Sequence, residues 1–208
     1  MAEKPIQEQF GQRVIDAFAD FARSDLKTPI ELENDEFSHV TNATLRRRLS
    51  EVFYGVRWIY KLGLALLTKD AERAAHVRAQ IVDYASIAEG LLSDCLAHAI
   101  RHGHTSGADY TYRDPVNQLR PITWNVSNPE PMLRRLSLWW FIRIAHEFGI
   151  IGPALEADLH WLREQRNTVH LQERSALGQT AFLNQSRKAY GIVTQTIRQT
   201  KKWKAAHP

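Results

Sequence analysis

The chain has 208 residues, 44% of them hydrophobic and 24% charged, with a formal net charge of +4. That length suits one globular domain, or one domain with appendages, and is enough to bury a core without covalent staples. The single cysteine, Cys95, excludes an internal disulfide framework and a cysteine-rich zinc site, and it fits a reducing compartment. The N-terminal MAEKPIQEQF lacks the apolar stretch of a signal peptide. The longest apolar run, residues 58–67, is broken by Lys61 and is too short to span a bilayer, so a cytoplasmic protein without a membrane partner is expected.

Helical periodicity dominates the chain. Residues 7–24 read as a first helix with Phe10, Val14, Ile15, Phe18 and Phe21 on one side, suited to docking on the bundle or to serving as a partner-binding arm. Residues 25–38 are polar and hold a proline, and they read as a loop. A second helix over 41–67 has apolar positions at Leu45, Leu49, Val52, Phe53, Val56, Ile59 and Tyr60. The third, over 70–101, carries the clearest seam: Val77, Ile81, Tyr84, Ala88, Leu91, Cys95 and Ala99 follow one another at steps of three and four.

Residues 102–126 break this pattern. Two glycines, two prolines and the β-prone pieces YTY and ITWNV mark an insertion, with room for a small hairpin. Ser127 and Glu130 stand at capping-box spacing before a very apolar helix over 132–148, which Gly149 ends. In that helix Trp139 and Trp140 read as core. Two further helices follow, over 153–171 and 180–204; the last has Leu183, Tyr190, Val193 and Ile197 facing inward. The expectation is an all-α, antiparallel helical bundle.

Charge is unevenly spread. No acidic residue follows Glu173, while Arg174, Arg187, Lys188, Arg198, Lys201, Lys202 and Lys204 do. A solvated face explains such a run, and a polyanion such as RNA or DNA is the functional alternative. His98, His102 and His104 lack a carboxylate at a familiar ligand spacing, so structural or solvent-exposed roles are expected and no metal site is assigned.

The helix over 153–171 reads PALEADLHWLREQRNTVHL. Leu155, Leu159, Leu162 and Val169 form its apolar stripe. Arg163, Arg166, Asn167 and His170 stand at i, i+3, i+4 and i+7, so they share one face beside that stripe. Arginine offers bidentate recognition of phosphate, histidine transfers protons near neutral pH, and asparagine can orient either. Such a set can bind a phosphodiester, activate an adjacent hydroxyl and stabilise the developing charge without a metal.

The stretch LREQRNTVHL resembles the signature of the HEPN (higher eukaryotes and prokaryotes nucleotide-binding) domains: an Arg, four to six residues, then a His, near the end of the third core helix. YASIAEGLLSDCLAHAI, residues 84–100, resembles the first core helix, with Glu89 in its apolar seam. The resemblance spans roughly residues 70–205. It divides the chain into an N-terminal helical extension, 1–68, packed on a HEPN-like bundle, 69–208, with an insertion at about 102–131. It implies a homodimer whose facing motifs form a composite cleft for RNA. It implies a metal-independent, cofactor-free endoribonuclease of toxin–antitoxin or anti-phage type, with an antitoxin or regulatory protein as a further partner. Some members are instead non-catalytic modules that bind nucleotide, RNA or protein. Six residues separate Arg163 from His170 and three separate Arg166 from it, so spacing favours Arg163; yet Asn167, the polar residue usual after the motif arginine, follows Arg166. On this reading Arg163, Asn167 and His170 are catalytic and Arg166 binds substrate.

Overall fold

The computed structural model of the chain describes residues 5, 10–104, 111–113, 118–167 and 179–208. Within them the protein is all-α, with eight helices: α1 Gln12–Arg23, α2 Pro29–Asn34, α3 Ala43–Ala65, α4 Asp70–Arg101, α5 Glu130–Leu133, α6 Leu138–Glu147, α7 Pro153–Asn167 and α8 Gln179–Ala206. No helix among the described residues is long and apolar enough to cross a membrane.

The seam foreseen on α4 is fully buried, and so are Ala85, Ile87, Leu92, Leu96 and Ile100 on its other sides. A helix apolar around most of its circumference belongs in the middle. Accordingly α4 is the hub against which α3, α5, α6, α7 and α8 all pack. Gly90 allows the close approach of α3, since a Cβ there would lie 3.0 Å from Leu49 Cδ2.

Directions are only partly those of an antiparallel bundle. Gly63 faces His76 and Gly90 faces Leu49, so α3 runs against α4. Gln165 meets Gln185 and Gly152 meets Gln199, so α7 runs against α8. Between α4 and α8, however, Gln80 pairs with Ser186 and Asp94 with Lys204, so these two central helices run parallel. Periodicity carries no information on direction, and the antiparallel expectation fails at this pair.

Three local expectations are also corrected. The polar stretch 25–38 contains α2, because Thr28, Pro29 and Glu31 form a capping box with proline in the first turn: Glu31 N–H donates to Thr28 Oγ1 at 3.3 Å, and Thr28 N–H donates to Glu31 Oε2 at 2.7 Å. Ser127 does not cap the next helix; Asn125 Oδ1 instead accepts from the N–H groups of Ser127 and Asn128. The expected helix over 132–148 is broken at 134–137 into α5 and α6. On an unbroken helix Leu136 and Leu138 would stand about 200° apart; the break lets Leu133, Leu136 and Leu138 all be buried. Gly149 ends α6 as expected, at φ +66, with Ile150 N–H donating to Ala145 O at 2.8 Å.

In the insertion, Thr111–Arg113 (β1) and Leu119–Pro121 (β2) pair antiparallel, with Tyr112 opposite Arg120. The ribbon therefore precedes ITWNV rather than including it, and Ile122 and Trp124 return to pack on the core. Helix α1 packs on α3 with Ile15, Ala19 and Ala22 turned inward, leaving Phe10, Val14, Phe18 and Phe21 exposed.

Polar groups tie the N-terminal part to the bundle. Asp94 accepts from the N–H groups of Thr41 and Asn42, both at 3.2 Å, and pairs with Lys204. Lys204 Nζ also donates to His39 O at 3.1 Å and to Thr41 Oγ1 at 2.9 Å. This buried ion pair is thus fully hydrogen-bonded, the condition under which such a pair is tolerated inside a protein.

Candidate functional site

Leu155, Leu159 and Leu162 are buried, and this fixes the rotation of α7 about its axis. Arg163 and Arg166 then lie half-buried and Asn167 exposed, together on the last turns of the helix. His170 and Val169 lie outside the described residues. Three of the four members of the expected constellation are thus brought together, and Trp139 and Trp140 are half-buried on the separate helix α6.

The two arginines are used differently. Arg166 Nη1 donates to Glu89 Oε2 at 2.7 Å, crossing from α7 to the hub helix. Both partners keep about a third of their side chains exposed, so the pair positions the guanidinium more than it stabilises the fold. Among the described residues Arg163 has only its neighbour Glu164 as an ion partner, with Nη2 at 3.5 Å from Oε1. Its Nε is buried and has no hydrogen-bond partner among the described residues. A buried donor left unpaired costs stability.

The end of α7 is anchored to α8. Gln185 Nε2 donates to Gln165 Oε1 at 3.1 Å, and Lys188 pairs with Asp158 at 3.2 Å while its ammonium sits 4.4 Å above the Trp161 ring. Sequence reasoning placed Glu89 in the seam of α4 but did not pair it with Arg166. The available signal was a carboxylate within an apolar seam, which favours a cation from another helix.

At the far end of α4 the histidines form a second cluster. His98 stacks on His102 with centroids 4.2 Å apart, and His104 lies 5.1 Å from His207, which stacks on Trp203 at 4.2 Å. His98 Nε2 and His207 O are 2.7 Å apart, and burial lowers the His98 pKa. Among the described residues no three His, Cys, Asp or Glu side chains are arranged to hold a metal ion.

Comparison with protein-family models, with curated proteins and with solved structures finds no match to this chain.

Proposed function

We propose that the protein is a metal-independent endoribonuclease of HEPN type, acting as a homodimer in a toxin or anti-phage setting. In this reading Arg163 holds the scissile phosphate and His170 transfers the proton, with Asn167 and Arg166 orienting them. The reacting ribose 2′-hydroxyl attacks its own phosphorus, the 5′-oxygen leaves, and a 2′,3′-cyclic phosphate remains. The observation that carries the reading is the division of labour between the arginines. Arg166 is held by Glu89, while Arg163, at the spacing the motif requires, has among the described residues only the exposed Glu164 as an ion partner, at 3.5 Å. A planar cation with spare donors is what a phosphodiester needs.

The test is cleavage of RNA in EDTA by the wild type and by His170→Ala and Arg163→Ala. General acid–base catalysis contributes roughly 10²–10⁴-fold, so both substitutions should abolish detectable cleavage at an unchanged melting temperature. A monomer by light scattering at micromolar concentration would remove the composite site. The alternative is a non-catalytic HEPN-like module that binds nucleotide, RNA or a protein. The capture of Arg166 in an ion pair favours it, because a second free cation is then missing from the face. RNA binding that His170→Ala leaves unaltered, without cleavage, would select that alternative.

A further inference from the structure

The cations of α8 fall into two sets. Lys188 pairs with Asp158, Lys201 donates to Asp35 O at 3.0 Å, and Lys204 is buried against Asp94. Arg187, Arg198 and Lys202 are all exposed, and no carboxylate pairs with them among the described residues; Arg198 bonds only to the amide oxygen of Gln195. Offsets of eleven and fifteen residues place Arg198 and Lys202 about 20° and 60° around the helix from Arg187, so these three cations share one side of α8. The face contains no acidic residue, because none occurs after Glu173. Its far end opens into a groove of about 600 Å³, lined by Gly149, Ile150, Arg198, Gln199, Lys202 and Trp203 among others and by no carboxylate. Gln185, which meets Gln165 at the end of α7, is two residues from Arg187 and so lies on another side of α8. From Arg187 to Lys202 the track is roughly 22 Å long at 1.5 Å per residue.

We infer that this face of α8 is a phosphate-binding track for single-stranded RNA, running from Arg187 to the groove at Arg198 and Lys202. The inference rests on the ribonuclease reading for its choice of polyanion. Spaced, unpaired cations on a rigid helix suit the backbone of an extended strand, whose charges repeat along its length. Trp203 is buried, with His207 stacked on its ring, so the groove holds phosphate rather than offering an open stacking platform.

The experiment measures binding of a non-cleavable, 2′-O-methyl single-stranded RNA of about 12 nucleotides, a length within known single-strand site sizes, across a salt series. It compares wild type with Arg198→Gln/Lys202→Gln. Both positions are exposed and helix-compatible, and circular dichroism checks that the fold is intact. Each lost phosphate contact lowers the slope of log K against log salt by about 0.7, so the double variant should lose about 1.4 and bind more weakly at low salt. Its cleavage of a dinucleotide, too short to reach the groove, should equal that of wild type. An unchanged slope and affinity would overturn the track. So would inorganic phosphate or poly-glutamate competing as well as the RNA, which would assign the groove to a small anion or an acidic protein. A slope change without any cleavage by wild type would keep the track and remove the ribonuclease; cleavage with no slope change would do the reverse.

Discussion

Arg166 on α7 reaches Glu89 on α4 across 77 residues of sequence, with Nη1 2.7 Å from Oε2. Three positions earlier, one turn along the same helix, Arg163 has a buried Nε with no partner among the described residues. The same residue type thus braces two helices at one position and, among the described residues, pairs only with its sequence neighbour at the other.

This contrast predicts opposite stability effects. Arg163→Met keeps the aliphatic stem and removes a buried donor that has no partner among the described residues, so the melting temperature should hold or rise slightly, while the proposed ribonuclease activity would be lost. Arg166→Met leaves Glu89 without its cation and should lower stability by up to about 1 kcal/mol, as expected for a partly exposed pair. Chemical denaturation of both variants decides it; a destabilised Arg163→Met beside a neutral Arg166→Met would reverse the assignment.

The buried pair of Lys204 and Asp94 should matter far more. Lys204→Met leaves Asp94 charged and buried, and breaking such a pair typically costs about 3–5 kcal/mol. Urea unfolding of that variant should show the loss, and a shift below about 1 kcal/mol would mean that water reaches Asp94 freely.

Acid sensitivity should trace in part to His39. Burial, and then the charge of Lys204, hold its pKa near 4, below the ordinary 6.5, although Asp94 pulls the other way. The unfolded chain therefore takes up a proton below pH 6.5 that the folded chain refuses until about pH 4. Stability from this group is complete above pH 6.5 and falls as pH drops toward 4. His39→Gln should flatten the wild-type fall in melting temperature over that window, while an identical pH profile would refute the assignment.

Cys95 is fully buried in the hub helix, and burial pushes its thiol up to about 12. At pH 8 it should react with a thiol reagent only through unfolding. Its modification rate should therefore rise with urea in step with the unfolding curve, and rapid labelling of the native protein would contradict its place in the core.

The hub helix was legible in the sequence because its apolar positions repeat over 32 residues, long enough to leave no competing reading. The spacing of Arg163, Arg166 and Asn167 was legible for the same reason, since α7 is regular there. The break at 134–137 was not: no proline or glycine marks it, and it comes from the need to bury Leu136 and Leu138 together. Helix α2 was hidden in a polar stretch whose capping residues signalled it. The choice between the two arginines depends on Glu89, a partner on another helix that no local pattern can specify. Periodicity found the apolar side of α1 but not the neighbour for it, and the structure seats Ile15, Ala19 and Ala22 rather than the phenylalanines.

The parallel pairing of α4 with α8 bears on how the molecule is made. Ser186 meets Gln80 from 106 residues away and Lys204 meets Asp94 from 110 residues away, so the main seam of the core joins distant parts of the chain. On a ribosome, where the N-terminal half emerges first, α4 must wait with its apolar flank open until α8 has been synthesised. Contacts so far apart slow folding and lengthen the exposure of sticky surface. Chaperone dependence should therefore fall mainly on the interval between the emergence of Arg101 and that of Lys204.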